Sequence, residues 1–189
     1  MYRKDLRPDI ADAFIQEFNI DGPKLTLDNV ASRMHISKKT IYRFFRCKDD
    51  IYVYIASCAA EKVREAQLQV IGDSNRSTKQ KIIDLFAIPA IRETRIDVAK
   101  LYLLAQDSPH VIDSFFLAFQ SSREALEKVL VQAQEEGVVR PDRNISLVSG
   151  FLLGALQRLC TYPLLEETRT SYLDAIRILA DTVLFGLID

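Results

Sequence analysis

The chain of 189 residues is 48% hydrophobic and 27% charged, with a formal net charge of -1 at pH 7. This composition excludes a disordered chain and a polycation, and the length allows one large domain or two small ones. Its three cysteines form no CxxC pair, so we expect neither a disulfide framework nor a zinc site. We also expect no signal peptide and no membrane span, because no apolar run is long enough, and we place the protein in the cytoplasm.

Two helices are predicted at the start of the chain. The first runs from about Pro8, a residue suited to a first helical turn, to about Asn19, and Gly22-Pro23 ends it. The second follows Thr26, which is a good N-cap residue, and its apolar residues recur at helical spacing. These apolar residues are Leu27, Val30, Ala31 and Met34.

A short basic helix comes next. Between Met34 and Lys48 the chain carries five Lys or Arg and no Asp or Glu. The two helices together predict a helix-turn-helix, whose second helix enters the DNA major groove with its N-terminal half. Ile41, Phe44 and Phe45 fall on the buried side of that helix. The residues left to face DNA are Lys38, Lys39, Thr40, Tyr42 and Arg43. The alternative is a solvated amphipathic helix in any all-helical protein, because charge runs are usually surface.

With its flanks, this stretch resembles the N-terminal domain of the TetR family of bacterial transcriptional regulators. The matching residues are Ile10, Ala13, Phe18, Gly22, Thr26, Val30, Ala31, Ser37 to Tyr42, Phe45, Lys48 and Ile51. Three positions depart from the family pattern. Pro23 replaces the usual aromatic residue after Gly22. His35 stands where the family often has a turn glycine, so it would need a left-handed backbone conformation. Cys47 replaces the usual Ser or Asn cap of the fourth helix, which predicts a weaker helix start.

The resemblance implies an all-α homodimer with two domains. A three-helix DNA-binding domain would occupy residues 1–48, and a helical effector-binding and dimerisation domain would occupy residues 49–189. The implied function is that of a transcriptional regulator, most simply a repressor, that binds a palindromic operator. A small-molecule effector in the C-terminal domain would release it from DNA.

The DNA-binding residues are predicted from the outer face of the basic helix and from the family positions that it matches. These are Thr26, Ser37, Lys38, Lys39, Thr40, Tyr42, Arg43 and Lys48. Lys38, Tyr42 and Lys48 match family positions that hold phosphates. Contacts to base edges, which carry sequence specificity, are expected from Lys39, Thr40 and Arg43.

The rest of the chain is predicted to be helical, giving about nine helices in all. A long fourth helix from about Asp49 to Ile71 joins the two domains, so its tilt would move the DNA-binding domain. Pro89 must kink or end the fifth helix, because proline lacks the N–H donor. The later helices are predicted at about Ser77 to Ile88, Thr94 to Gln106, Pro109 to Gly137, Arg143 to Tyr162 and Glu167 to Leu187.

The last two helices are apolar over much more than one face, which predicts burial on nearly every side. In a chain of this size, a second copy can cover the side that its own domain leaves open, and this predicts a two-fold four-helix interface. Gly150 and Gly154 would allow a close helix approach, although they could instead accommodate a contact within the chain. The predicted dimer residues are Gly150, Phe151, Gly154, Ile176, Leu179 and Val183.

An aromatic-rich interior with a few polar neighbours is predicted between the fourth and eighth helices. Such a mixture fits a small-molecule cavity, but it fits an ordinary core with a polar edge equally well. The family resemblance favours the cavity, because members typically bind an inducer in this domain. The predicted effector-binding residues are Phe86, Tyr102, Gln106, Phe115, Phe119 and Gln157.

Nothing in the sequence supports an enzyme, a cofactor or a metal site. There are two histidines and no glycine-rich phosphate loop after a strand. Carboxylate pairs such as Asp49-Asp50 stand at helix starts, where the helix dipole explains them without catalysis. Two alternatives to a ligand-controlled regulator remain. One is a helical dimeric DNA-binding protein controlled by a protein partner, without a cavity, and the other is an enzyme built on a helical bundle.

Overall fold

In a computed structural model, the described residues are 5–88, 93–117, 120–161 and 163–187. Within these ranges the fold is all-α and has no β-strand. The helices are α1 (Arg7–Asp21), α2 (Leu27–Arg33), α3 (Lys38–Tyr42), α4 (Lys48–Gly72), α5 (Thr78–Ala87), α6 (Val98–Asp107), α7 (Pro109–Leu117), α8 (Gln120–Glu135), α9 (Ile145–Thr161), α10 (Leu164–Thr168) and α11 (Tyr172–Leu187). A 3-10 turn at Gly22–Lys24 links α1 to α2.

The described part of the chain thus contains more α-helices than the predicted nine. The short helix α10 was not predicted, and Arg169, which has a φ of +52°, ends it. Helix α11 begins later than the predicted Glu167. The reason is local capping, since the Ser171 hydroxyl accepts a hydrogen bond from the Asp174 N–H at 3.1 Å.

The predicted start of the sixth helix at Thr94 is wrong. Thr94 lies in a 3-10 turn, where its hydroxyl accepts a hydrogen bond from the Ile96 N–H at 3.1 Å. Arg95 follows with a φ of +59°, which a continuous right-handed helix does not permit. Helix α6 therefore begins only at Val98.

The predicted helix from Pro109 to Gly137 corresponds to α7 and α8, and residues 118 and 119 between them lie outside the described residues. Helix α8 ends before Gly137, whose φ of +74° confirms it as a C-terminal stop.

Helix α5 ends at Ala87, in agreement with a stop near Ile88. Pro89, the predicted cause, lies outside the described residues, as does Tyr162.

Side-chain caps fix the starts of the N-terminal helices. The Thr26 hydroxyl accepts a hydrogen bond from the Asn29 N–H, and the Asn29 side chain accepts one from the Thr26 N–H, so the two residues cap α2 reciprocally. The Ser37 hydroxyl caps α3 by accepting a hydrogen bond from the Thr40 N–H at 3.2 Å. Cys47 makes no side-chain cap bond at the start of α4, as predicted.

The described residues form two hydrophobic cores. The first combines α1, α2, α3 and the N-terminal half of α4 with Ile96, α6 and α7. The second combines the C-terminal end of α4 with α5, α8 and the start of α9. Helix α4 contributes to both, and its 25 residues give it a length of about 37 Å. The N-terminal unit therefore packs on α4 through α1 and on α6 through the 3-10 turn, while α7 packs on α4 and α6.

Aromatic packing joins α1 to α4 at the centre of the first core. The rings of Phe14 and Phe18 meet Tyr52 edge to face, with centroid distances of 4.8 and 5.6 Å. All three side chains are fully buried. Burial is the main cause that raises the pKa of Tyr52, and the nearby charges of Asp49 and Asp107 add to it. The phenol is therefore neutral, and its hydroxyl has no hydrogen-bond partner among the described residues.

We expect Tyr52→Phe to stabilise the protein. The substitution keeps the ring packing and removes a buried hydroxyl whose missing partner costs about 1 to 3 kcal/mol, so the free energy of unfolding should rise by about 1 kcal/mol. Urea unfolding of the two proteins measures the difference. Tyr42→Phe is the matched control, because Tyr42 is 49% exposed and the same loss there should change little. A loss of stability in Tyr52→Phe would mean that the hydroxyl has a partner after all.

Candidate nucleic-acid interface

A tight turn holds α2 against α3. His35 has a φ of +54°, which confirms the predicted left-handed conformation. Its N–H donates to the Ser32 carbonyl at 3.2 Å, and the Ile36 N–H donates to the Ala31 carbonyl at 3.0 Å. These two bonds form a Schellman motif with His35 in the position that glycine usually occupies. The turn thus forms without glycine, because His accepts this conformation more readily than most residues do.

Apolar contacts orient α3. Its five residues are too few for a stable isolated helix. Ile41 is fully buried, Phe45 just beyond the helix is nearly so, and Phe44 packs half-buried against the same core. Because these side chains occupy the inner side of α3 and of the turn that follows it, the polar side chains must point to solvent.

The outer face carries most of the predicted DNA-binding residues. Lys38, Lys39, Tyr42 and Arg43 are all exposed. Thr40 is half-buried, and its hydroxyl lies 2.9 Å from the hydroxyl of the capping Ser37. The structure thus places four candidate contact residues on one surface, with two hydroxyls at the start of the helix behind them.

Two predicted phosphate-binding lysines already have partners within the chain. The Lys38 ammonium group lies 2.8 Å from an Asp28 carboxylate oxygen, and this hydrogen bond raises the pKa of Lys38. The Lys48 ammonium group donates to the Pro23 carbonyl at 2.8 Å. Both ammonium groups are therefore already engaged in contacts within the chain. A phosphate would compete with Asp28 for Lys38, and with a neutral carbonyl for Lys48.

Sequence reasoning missed two residues at this surface. Asp28 lies ten positions before Lys38, and nothing in the local pattern links them. Arg46 has a side chain that is 91% exposed and pairs with Asp50 at 3.1 Å. Their i, i+4 spacing is a signal that could have identified this pair. Asp28 matters more, because it is an acidic group within an otherwise basic face.

A polar recess of about 500 Å³ opens beside this surface, between α1 and α2. Glu17 is nearly buried at its base and forms an ion pair with Arg33, which also donates to the Gln16 side chain at 3.0 Å. These contacts attach α2 to α1. The recess therefore belongs to the packing that supports the helix-turn-helix.

Comparisons with known proteins identify the architecture. No protein-family model and no curated protein matches the sequence. Solved structures do match over nearly the whole chain. A TetR/AcrR-family regulator from Thermobifida fusca is 19% identical, with a TM-score of 0.69 over 97% of this chain and 98% of its own. A putative TetR-family regulator from a Rhodococcus species is 18% identical, with a TM-score of 0.70 over 96% and 100%. FadR of Bacillus subtilis in complex with stearoyl-CoA is 13% identical, with a TM-score of 0.70 over 95% and 98%.

The chain has the TetR fold. At these identities the likeness establishes the fold alone, and function must be argued from the surfaces that the fold carries. The three proteins named above are transcriptional regulators.

In this TetR fold, α9 and α11 carry a large exposed apolar surface. Phe151 is 72% exposed, and Gly150 and Gly154 lie beside it on the same face of α9. A Cβ atom added at either glycine would have no neighbour within 4 Å, so neither accommodates a contact among the described residues. Further exposed apolar side chains on α9 and α11, which are not among the predicted dimer residues, are Leu147, Leu173 and Ile178.

The other predicted dimer residues sit deeper. Ile176 and Leu179 are half-buried, and Val183 packs against the second core. Helix α11 thus turns these three residues towards its own chain and leaves Ile178 outward, at 62% exposure. Helix α11 therefore has an exposed apolar surface, but its most exposed residues, Leu173 and Ile178, are not the ones predicted from the periodicity.

The predicted effector-binding residues are spread over four helices and one neighbouring position. Phe86, Tyr102 and Phe115 lie on α5, α6 and α7, but their side chains are outside what the structure describes, and Phe119 lies outside the described residues entirely. Gln106 is exposed at the end of α6, and Gln157 is half-buried in α9. Helices α6, α7 and α9 are neighbours, since α6 packs on both of the others. The set therefore remains a prediction.

In the described ranges, no group of three or more His, Cys, Asp or Glu side chains is arranged to hold a metal ion. None of the helices in those ranges combines the length and the hydrophobicity that crossing a bilayer requires.

Proposed function

We propose that the protein is a homodimeric TetR-like transcriptional regulator that acts as a repressor on a palindromic operator. The observation that carries this proposal is the outer face of α3. A helix held in place by buried Ile41 and Phe45 presents three cations and one tyrosine to solvent. Residues 1–48 would form the DNA-binding unit, and residues 49–189 would bind the effector and the second subunit.

Phosphate contacts and base contacts have different roles in this proposal. Lys38, Tyr42 and Lys48 hold phosphates and fix the docking of α3, whereas Lys39 and Arg43 reach base edges and select the sequence. Thr40 is the weaker base-contact candidate, because its hydroxyl already bonds to Ser37. Ser37 and Thr26 act mainly by fixing the starts of α3 and α2. Asp28 holds the Lys38 side chain in position, and its own carboxylate repels DNA phosphates that come near it without pairing with Lys38.

Lys38→Ala and Arg43→Ala test this division. Lys38→Ala should weaken binding to all duplexes alike and reduce the slope of log affinity against log salt by about 1. Arg43→Ala should relax specificity at one base pair, by roughly 1 to 3 kcal/mol. Affinities are measured over a salt series for the DNA upstream of the protein's own coding sequence and for a random duplex. Lys79→Ala, at an exposed lysine on α5, is the control and should bind like the wild type.

Asp28 complicates the Lys38 variant, because the substitution leaves an unpaired carboxylate near DNA. The double variant Asp28→Asn/Lys38→Ala separates the two effects: it should recover part of the lost affinity, but not the salt slope. Negligible and equal effects of Lys38→Ala and Arg43→Ala on both duplexes would contradict the proposed interface.

The dimer would form through α9 and α11 around Phe151. An apolar residue that is 72% exposed, beside two glycines with open space above them, supports close approach by a second copy. Leu147, Leu173 and Ile178 would complete the interface. Since each subunit reads one half-site, operator binding would depend on the dimer population.

Gly154→Leu should separate the subunits without unfolding them. A Cβ atom at Gly154 has no neighbour within 4 Å among the described residues, but a leucine there would force apart the helices packed across the dimer, at a cost of about 1 to 3 kcal/mol. Sedimentation equilibrium measures the shift towards monomer. Gly72→Leu is the matched control, because Gly72 also has open space around it and lies at the end of α4. A wild-type monomer at micromolar concentration, or unchanged dimerisation of Gly154→Leu, would rule out this interface.

The effector would be a small molecule with a substantial apolar part. This follows from the aromatic character of the predicted set Phe86, Tyr102, Phe115 and Phe119, and the stearoyl-CoA in the FadR complex is one ligand of that character in the same fold. Occupation of the domain would tilt α4 and change the spacing of the two α3 helices. The ligand must then bind the DNA-incompetent arrangement more tightly, and DNA must weaken ligand binding by the same factor.

A further inference from the structure

A set of polar contacts connects α1 to the segment 95–100, which leads into α6. The Asn19 side chain makes two of them. Its Nδ2 donates to the Arg95 carbonyl at 2.9 Å, and its Oδ1 accepts from the Asp97 N–H at 2.8 Å. The Arg95 guanidinium also forms an ion pair with Asp12, about two turns before Asn19 on the same face of α1. We refer to the contacts of Asn19, Asp12, Arg95, Asp97 and Lys100 as the α1 clamp.

Lys100 completes the clamp at the end of α1. Its ammonium group donates to the Ile20 carbonyl at 2.6 Å. This carbonyl is among the last four of α1, which have no partner within the helix. A Cβ atom at Gly22 would lie 3.7 Å from Cδ of Lys100, so the stem of the lysine passes close to the turn that follows α1. A residue of α6 therefore caps the C-terminal end of α1.

The backbone of the segment is shaped to make these contacts. Arg95 has a φ of +59°, a left-handed conformation that residues other than glycine rarely adopt. This conformation breaks the helical path after Thr94 and directs the Arg95 carbonyl and the Asp97 N–H to the same amide side chain. Such conformations persist where the surroundings hold them in place, and here the surroundings are α1 and the buried Ile96.

The clamp differs in kind from the core beneath it. Ile96, Leu101 and Leu104 bury apolar surface against the N-terminal unit, and this attraction has no preferred direction. Hydrogen bonds are directional, so the clamp sets the angle at which α1 meets the segment. Asn19, Asp12 and Arg95 are all exposed, and water can therefore replace their contacts when the angle changes.

We propose that the α1 clamp couples the orientation of the helix-turn-helix to segment 95–100, as a connection separate from α4. The inference rests on the proposed function, since the unit that it orients is the one that binds DNA. A change of angle between α6 and α1 breaks the two Asn19 bonds together, because one planar amide makes both. The coupling therefore has two states, with the amide either bound to the segment or released to water.

Hydrogen exchange of the full-length protein tests the coupling, with a mixed-sequence DNA duplex at low salt as the probe. In the wild type, the duplex should protect the amides of α2 and α3 and also change the exchange rate of residues 95–100, with the Asp97 amide as the direct reporter. In Asn19→Ala without DNA, the Asp97 amide should exchange on the order of tenfold faster. Addition of the duplex should still protect α2 and α3 but leave residues 95–100 unchanged.

Two further variants complete the experiment. Lys100→Met keeps the stem beside Gly22 and removes the ammonium group, so its response at 95–100 should be smaller than that of the wild type. Asn75→Ala makes the same substitution as Asn19→Ala in the exposed loop after α4 and should behave like the wild type. A response at 95–100 that is equal in all variants, or absent from a wild type whose α3 is protected, would overturn the inference. Absence of protection at α2 and α3 would instead overturn the proposed DNA binding.

Discussion

The packing of Phe14 and Phe18 against Tyr52 is the interaction on which the rest of the structure depends. It fixes α1 on α4 in the centre of the first core. The five-residue α3 cannot hold its own shape, so its orientation comes from the burial of Ile41 and Phe45 in that core. The outward position of the basic residues of α3 is thus a consequence of aromatic and aliphatic packing. Their charges are not needed to orient the helix.

The same core explains how a distant site could control this surface. Apolar residues of α6 and α7 belong to it, and the N-terminal unit contacts both α4 and α6. Helix α4 continues into the second core, while the α1 clamp sets an angle to α6 by hydrogen bonds that water can replace. Strong apolar contacts keep the units together, and weak directional contacts decide how they are oriented.

Features with a local cause could be predicted from sequence. The reciprocal cap of Thr26, the left-handed His35 and the uncapped start at Cys47 each depend on residues within a few positions. Contacts between distant residues could not be predicted. Asn19 contacts Arg95 across 76 positions in the sequence. The ion pair between Asp28 and Lys38 depends on the angle at which α2 and α3 cross. The wrong helix start at Thr94 has a related reason, because Thr94 is followed by a left-handed Arg95 that is held by contacts with the distant helix α1.

Selection of binding sequences from a random pool of duplexes tests the central claim most directly. Two α3 helices related by two-fold symmetry must lie about one turn of DNA apart, roughly 34 to 36 Å. The account predicts enrichment of an inverted repeat whose half-sites have that spacing. It also predicts that the enrichment disappears when Arg43 is replaced by alanine. No enrichment by the wild-type protein, or enrichment of a single unrepeated motif, would contradict the account of this chain as a dimeric reader of palindromic DNA.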